Sequence, residues 1–264
     1  MEDERLRNNR QNWNERTPVH ASSSFYDLEG FKAGRITLSD VERREVGDVA
    51  GKTLLHLQCH FGLDTMSWAR LGAKATGVDF SDAAIDLARS LSDELELNTR
   101  FIRSDVYALP DVLDEKFDIV LTSYGVLVWL PRLDKWASVI HRMLRPGGAF
   151  HIVEFHPFLD AFEVSKSGDL KAAYGYFHGE VSTPGNQPSY AGRELISSPH
   201  HEWQHPLGEV VTALIEAGLT IEFLHEFPFC SQPYTGAKRC EDGRWRFPNL
   251  GESFPHMYSI RATR

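Results

Sequence analysis

The sequence lacks the features of a secreted, membrane-spanning or nucleic-acid-binding protein. Its three cysteines, Cys59, Cys230 and Cys240, are odd in number and lack the pairing of metal ligands, which favours a reducing compartment. No apolar run approaches the roughly 20 residues that cross a bilayer, and the charged first residues have no signal-peptide core. The formal net charge of -9 argues against nucleic acid, because phosphate binding needs a basic face. We therefore expect a cytoplasmic protein with neither a membrane nor a nucleic-acid partner.

Strand and helix patterns alternate from Thr53 onward. Short apolar segments predict strands, and apolar residues at helical spacing predict helices. The predicted strands are residues 53–58, 74–80, 99–105, 117–123, 149–155, 219–227 and 257–264, and the predicted helices are Asp64–Leu71, Ser81–Leu91, Leu133–Leu144 and Leu207–Ala217. This alternation is typical of an α/β protein with a parallel sheet covered by helices on both faces.

Two segments lie outside this alternation. Residues 1–48 are polar with scattered aromatic residues, and we interpret them as an N-terminal arm or lid. Residues 156–206 are rich in Gly, Pro, Ser, Tyr and His, and their aromatic residues supply apolar area that favours folding over disorder. We interpret this second segment as a cap, inserted after the fifth strand into a domain that spans residues 49–264.

The segment TLLHLQCHFG at 53–62 has the order of a nucleotide-binding β-α-β unit. A strand is followed by a turn with Gly62, then by a helix, and then by a second strand that ends at Asp79. The spacing from Gly62 to Asp79 is close to the roughly 20 residues that separate such a turn from a ribose-binding acid. Because most of the usual glycines are missing, the segment alone leaves the ligand open.

A second motif, LRPGG at 144–148, precedes the fifth strand. Together with Asp79 and with Asp105 after the third strand, it resembles the motifs of class I S-adenosylmethionine-dependent methyltransferases over residues 50–155 and 207–264. The resemblance implies a Rossmann-like, doubly wound, mostly parallel seven-stranded sheet with a C-terminal antiparallel hairpin. It also implies S-adenosyl-L-methionine as the cofactor.

The resemblance assigns cofactor-binding roles by position. Asp79 would accept hydrogen bonds from the ribose hydroxyls, Asp105 would accept one from the adenine amino group, and Val106 would offer its backbone N–H. The other positions that match the cofactor site are Trp13, Tyr26, His56, Gln58, His60, Gly62, Asp64, Thr65, Phe80 and Ser123.

Some of these assignments have structural alternatives. Asp79 could serve only as a helix cap, and so could Asp64 or Thr65. Asp105 could be an exposed loop acid. The aromatic residues of the arm, Trp13 and Tyr26, could simply pack the arm on the domain.

The first motif departs from the family pattern at three positions. His56 replaces the acidic residue, and Gln58 and His60 replace the first two glycines, so that only Gly62 remains. Because glycine allows a positive φ and a close approach of the ligand, we expect these side chains to crowd or re-route the turn. We interpret Gln58 and His60 as a variant that contacts the methionine end of the cofactor, with a weakened cofactor site as the alternative.

The candidates for the acceptor site are Tyr124, Glu154 and His156. Tyr124 follows strand four, whereas Glu154 and His156 are two residues apart on strand five, so that their side chains would project from one face. A histidine near its ordinary pKa could take a proton from the acceptor. Glu154 could instead orient a cationic or amine substrate, and Glu154 and His156 could each be a strand-end polar residue tied to the cap. Lesser candidates are the cap residues His178, His200, His201 and His205. The spacing of these residues is not that of a metal site.

We therefore expect methyl transfer from S-adenosyl-L-methionine to O, N or S of a small-molecule acceptor, by a monomer or a homodimer. One alternative is a non-catalytic protein that binds S-adenosylmethionine. Another is a nicotinamide-dependent oxidoreductase, for which the glycine motif is poor. The sequence does not distinguish among small-molecule acceptors.

Overall fold

The structure is a computed structural model that describes residues 3–165, 169–177, 179–250 and 252–264. The helices are α1 (Glu4–Ala21), α2 (Leu28–Lys32), α3 (Asp40–Val46), α4 (Leu63–Arg70), α5 (Asp82–Glu94), α6 (Leu109–Val112), α7 (Leu133–Met143), α8 (Pro157–Asp160) and α9 (Leu207–Glu216), with a 3-10 turn at Leu127–Trp129. The strands are β1 (Thr53–Leu57), β2 (Lys74–Asp79), β3 (Arg100–Arg103), β4 (Phe117–Ser123), β5 (Leu144–Phe155), β6 (Phe162–Val164), β7 (Leu170–Ala172), β8 (Gly179–Thr183), β9 (Gln187–Pro188), β10 (Leu195–Ile196), β11 (His200–Gln204), β12 (Thr220–Phe227), β13 (Lys238–Arg239), β14 (Trp245–Arg246) and β15 (Met257–Thr263).

The main sheet has seven strands in the order β12-β15-β5-β4-β1-β2-β3. Strands β1 to β5 are parallel to one another, whereas β15 runs antiparallel to both β5 and β12. This arrangement confirms the Rossmann-like, mostly parallel sheet with a C-terminal antiparallel pair. Because β1 to β5 are parallel, their carboxyl ends meet at one edge, where α/β proteins bind ligands.

Successive residues of the central strand pack against opposite layers of helices. Leu54 of β1 belongs to a buried cluster with Trp68 of α4, whereas Leu55 belongs to a cluster with Trp136 of α7. Burying a leucine side chain stabilises a fold by about 1.5–3 kcal/mol. The two apolar layers therefore hold the sheet, and with it the positions of the strand ends.

The predicted core elements agree with the structure. The predicted helices are present as α4, α5, α7 and α9, with ends that differ by a few residues. The LRPGG segment ends α7 as expected, but its residues already belong to β5, with a φ of 77° at Gly147. A Cβ at Gly148 would lie only 3.0 Å from the carbonyl oxygens of Arg145 and Phe117, so this close approach favours glycine.

The segment before β1 is helical, and its α1 is tied to both the core and the cap. Ser81 Oγ at the start of α5 donates a hydrogen bond to Asn14 Oδ1 at 2.7 Å. Asn9 exchanges two hydrogen bonds with the backbone of His201 in β11, at 2.8 and 2.7 Å. These contacts place the arm directly over the carboxyl edge of the sheet, beside the cap.

The cap has more regular structure than the sequence pattern predicts. It contains α8 and two-stranded ribbons in which β6 pairs with β7, β8 with β11, and β9 with β10. A further insertion, missed by the sequence reasoning, lies between β12 and β15 and carries the ribbon β13–β14. Among the described residues, no helix has the length and apolar character needed to span a bilayer.

Candidate functional site

A cavity of about 850 Å³ lies at the carboxyl edge of the sheet. The ends of β1, β2, β4 and β5 form its floor, while the arm, the cap and the insertion before β15 form its walls. It brings together nearly all of the predicted site residues, namely Trp13, Tyr26, His56, Gln58, His60, Gly62, Asp64, Asp79, Phe80, Asp105, Val106, Ser123, Tyr124 and Glu154. Thr65 and His156 are the two predicted residues that do not line it.

The turn after β1 keeps a glycine-like backbone although two of its glycine positions carry side chains. Gln58 has a φ of 56° and His60 a φ of 51°, both in the left-handed region. The expectation that these residues re-route the turn is therefore wrong. Gly62 has a φ of 81°, and a Cβ there would lie 2.4 Å from the Phe101 ring. Left-handed backbone costs roughly 1–2 kcal/mol for a residue with a Cβ, so this turn is strained at two positions.

Gln58 and His60 each present one buried polar atom without a partner. Gln58 Nε2 donates to the carbonyl of Val126 at 3.0 Å, and His60 Nε2 is 2.9 Å from Nδ1 of His20. Among the described residues, Gln58 Oε1 and His60 Nδ1 have no hydrogen-bond partner. Because a buried unpaired polar atom costs about 1–3 kcal/mol, this turn combines backbone strain with unpaired polar groups.

Asp79 lies at the end of β2 with both carboxylate oxygens facing backbone donors. Oδ2 accepts from His60 N at 2.8 Å, and Oδ1 accepts from Ser81 N at 2.9 Å. Burial raises the pKa of Asp79 to about 6. The N-cap of α5 is Ser81, whose hydroxyl accepts from Ala84 N at 3.2 Å. Asp79 is therefore not the helix cap, and each of its oxygens keeps a further lone pair for a ligand.

The next strand end contributes Asp105 and Val106. Asp105 Oδ1 accepts from Tyr107 N at 2.8 Å, which fixes the turn after β3. Val106 is buried against the main core, while Phe80, after β2, is half-buried at the cavity wall. Phe80, Asp105 and Val106 thus all line the cavity.

His56 connects three elements beneath the cavity. Its Nδ1 is 2.9 Å from Thr65 Oγ1 in α4, and its Nε2 is 3.2 Å from Ser123 Oγ at the end of β4. Burial lowers the pKa of His56 to about 3, so the ring is neutral at physiological pH. Asp64 accepts a short hydrogen bond from Thr37, and burial raises its pKa. His56 and Thr65 therefore stabilise the floor, and the neutral His56 does not supply the charge of the acid it replaces.

The aromatic residues of the arm enclose the first turn. The Trp13 ring lies edge-on to His60 at 5.1 Å and to Trp129 at 5.2 Å. The Tyr26 hydroxyl is hydrogen-bonded to that of Tyr190 in the cap. These contacts combine both earlier interpretations, because the rings pack the arm on the domain and also line the cavity.

Tyr124 and Glu154 are held by the protein around them. The Tyr124 hydroxyl is 3.0 Å from Ser39 Oγ and donates to Glu42 Oε2 at 3.1 Å. The Glu154 carboxylate accepts from the backbone N–H groups of residues 125, 126, 127 and 155. Burial raises the pKa of Glu154 despite these donors. Glu154 thus fixes the turn after β4 that borders the cavity.

His156 does not share a strand face with Glu154, and that premise of the sequence analysis is wrong. Strand β5 ends at Phe155, and His156 caps α8, where its Nδ1 accepts from Phe158 N at 3.1 Å. Its Nε2 lies 3.0 Å from Glu226 Oε1 of β12. Both ring nitrogens are thus occupied outside the cavity, and the role of His156 as a base stays a prediction that this geometry does not favour.

Of the four cap histidines, His205 lines the cavity and His178 lies outside the described residues. Within the described parts of the chain, no three His, Cys, Asp or Glu side chains are grouped to hold a metal ion.

Several cavity residues carry no signal in the sequence. Arg16 of α1, Asp160 of α8, Glu202 of β11 and Tyr234 of the insertion all line the cavity. Burial, with Glu154 and Glu202 nearby, raises the pKa of Asp160 to about 8. Each of the four belongs to a segment without a strong period, so that only tertiary packing brings it to the site.

Comparison with known proteins supports the geometry. A family model described as a methyltransferase domain matches residues 54–148. A ubiquinone biosynthesis O-methyltransferase of Alkalilimnicola ehrlichii is 32% identical over 111 residues, which are 41% of this chain and 42% of that protein. The chain thus spans about half the length, or less, of the curated relatives it matches.

Solved structures of methyltransferases share the fold of this chain. A methyltransferase from Mesorhizobium loti superposes with a TM-score of 0.61 at 21% identity, over 88% of this chain and 100% of that one. The glycopeptide N-methyltransferase MtfA, complexed with S-adenosylmethionine, gives a TM-score of 0.55 at 16% identity, over 86% and 87% of the two chains. The fold implied by the sequence motifs is confirmed.

Proposed function

We propose that the chain transfers a methyl group from S-adenosylmethionine to O, N or S of a small-molecule acceptor. The observation that carries this proposal is Asp79, a buried carboxylate that borders the cavity at the end of β2. Its spare lone pairs suit the two vicinal hydroxyls of a ribose. The match of residues 54–148 to a methyltransferase domain supports the same ligand.

The polar groups around the cavity fit this donor. Asp105 and the backbone of Val106 suit the adenine, beyond the ribose at Asp79. The unpaired Gln58 Oε1 and His60 Nδ1 suit the amino-acid end, since they lie in the turn after β1. The S-adenosylmethionine bound to a protein of similar fold supports the assignment.

The chain's own contribution is alignment and exclusion of water. The donor supplies a methyl group on a sulfonium, so the acceptor lone pair forms the new bond as the carbon–sulfur bond breaks and the acceptor loses a proton. Tyr124 and Glu154 are held rigidly where they shape the acceptor end, and the arm and cap close the cavity. We propose that this alignment provides most of the acceleration, without a dedicated base at His156.

The walls of the cavity and the acidic surface support the proposals on acceptor size, the role of the arm, the compartment and the partners. A cavity of about 850 Å³ that also holds the donor leaves room for a small acceptor rather than a polymer. We propose that residues 1–48 act as a lid on a domain spanning 49–264. A net charge of -9 and three free cysteines agree with a cytoplasmic enzyme, monomeric or homodimeric, without a nucleic-acid partner.

Isothermal calorimetry with S-adenosylmethionine, S-adenosylhomocysteine and NAD+ tests the ligand. We expect one S-adenosylhomocysteine per chain and no heat from NAD+. Binding of NAD+ alone would favour an oxidoreductase. Incubation with methyl-labelled donor and a pooled small-molecule extract then tests catalysis. Label in an acceptor supports the proposal, whereas tight binding of the donor without transfer favours a non-catalytic protein.

A further inference from the structure

Arg16 is a buried cation whose two terminal guanidinium nitrogens have no hydrogen-bond partner among the described residues. It is 7% exposed and lines the cavity from α1. Its Nε donates to Asn12 Oδ1 at 2.6 Å, and its guanidinium carbon lies 5.5 Å from the Trp13 ring and 5.6 Å from the Trp129 ring. Among the described residues, no carboxylate forms an ion pair with Arg16, and its two terminal nitrogens have no hydrogen-bond partner.

A guanidinium group stays charged in proteins, so its burial without a counter-ion is unfavourable. Glu202 and Tyr190 act on Arg16 only at a distance, and burial lowers the pKa of Arg16. Burial also raises the pKa of Glu202, which makes this carboxyl a weak counter-ion. The two forked terminal nitrogens match the two oxygens of a carboxylate.

We propose that Arg16 binds a carboxylate of the methyl acceptor, which makes the acceptor a small carboxylic acid. Arg16 acts on Glu202 and His200 of the cap, and Trp129 beside it lies 5.5 Å from the His200 ring. A second cation that lines the cavity, Arg35, acts on Asp64 at the start of α4 but is already paired with Asp27 at 3.0 Å. Arg16 also acts on His60 of the first turn, so the comparison of S-adenosylhomocysteine with 5′-methylthioadenosine decides whether the bound carboxylate is the acceptor's or the donor's. This inference rests on the proposed function for the identity of the ligand, but the anion site is testable without it.

The test compares benzoate with its uncharged isostere benzamide in calorimetric titrations of the ligand-free and the S-adenosylhomocysteine-saturated protein. We expect wild-type protein to prefer benzoate by roughly tenfold or more, since hydrogen bonds to a charged group are lost with benzamide. Arg16→Gln should abolish the preference, Arg16→Lys should retain part of it, and Arg7→Gln, on the exposed side of the same helix, should leave it unchanged. Circular dichroism of each variant verifies folding.

Two results would overturn the inference. One is equal binding of benzoate and benzamide by the wild type. The other is an Arg16→Gln variant that loses affinity for S-adenosylhomocysteine but not for 5′-methylthioadenosine, because the carboxylate would then be the donor's. Failure of the wild type to bind S-adenosylhomocysteine at all would contradict the proposed function, while the benzoate preference of ligand-free protein would still report on Arg16.

Discussion

Replacement of Gln58 by glycine separates what its side chain does for the fold from what it does for a ligand. In the free protein Gln58 has two unfavourable features, a φ of 56° and a buried oxygen without a partner. It also has one favourable feature, the hydrogen bond from its Nε2 to the carbonyl of Val126. Glycine relieves roughly 1–2 kcal/mol of backbone strain and removes an unpaired atom that costs about 1–3 kcal/mol. It loses a hydrogen bond of about 1 kcal/mol and adds about 0.5–1 kcal/mol of chain entropy to the unfolded state.

Gains of about 2–5 kcal/mol against losses of about 1.5–2 kcal/mol predict that Gln58→Gly stabilises the free protein by up to about 3 kcal/mol. At the same time its affinity for S-adenosylhomocysteine should fall by about tenfold, the equivalent of one lost hydrogen bond to a ligand. Urea unfolding without ligand measures the first quantity, and calorimetry measures the second. A more stable protein that binds more weakly is the pattern expected when strain is retained for binding.

Glu96→Gly is the matched control, because Glu96 is exposed, has a φ of 52° and does not line the cavity. It should gain a little stability from the relief of strain and leave the ligand affinity unchanged. A Gln58→Gly protein that is destabilised, or that binds S-adenosylhomocysteine as tightly as wild type, would refute the reasoning.

Two further predictions concern buried carboxylates. The pKa of Asp79 is raised from 3.8 to about 6, so the folded state binds a proton more tightly than the unfolded chain. The contribution of Asp79 to the stability of the free protein therefore falls by up to about 3 kcal/mol as pH rises from about 4 to about 6. Over the same range the affinity for a ligand that binds the ionised carboxylate should rise. Asp79→Asn should weaken S-adenosylhomocysteine binding and flatten its pH dependence below pH 7; an unchanged pH profile in calorimetry would contradict the ribose role. Glu154→Gln replaces an acceptor by a donor among four backbone N–H groups and should destabilise the protein by about 2–4 kcal/mol in urea unfolding; wild-type stability would show that Glu154 does not hold the turn after β4.

The core and the positions of the strand-end residues were predictable because they depend on local pattern. Apolar strands and amphipathic helices alternate, and parallel strands bring residues at their ends, such as Asp79 and Asp105, to one edge whatever the details of packing. The acceptor side was not predictable in the same way. His156 was placed on the strand of Glu154, but the chain turns into α8 one residue earlier.

The positions of cavity residues in the arm and the insertions were also not predictable from local sequence pattern. Arg16 lies on a helix that is polar around most of its surface, and Tyr234 lies in a loop between β12 and β15 without a clear period. Their positions depend on how the arm, the cap and this loop pack together, and no local spacing encodes that. The first turn is an intermediate case, because the residue types at Gln58 and His60 marked it as unusual but pointed to the wrong backbone conformation.

A crystal structure of the protein with S-adenosylhomocysteine would locate the donor site directly. We expect the ligand in the cavity at the carboxyl edge, with both ribose hydroxyls about 3 Å from the Asp79 carboxylate and the amino-acid end in contact with Gln58 Oε1 or His60 Nδ1. A ligand bound elsewhere, or a ribose that does not contact Asp79, would contradict the proposed donor site.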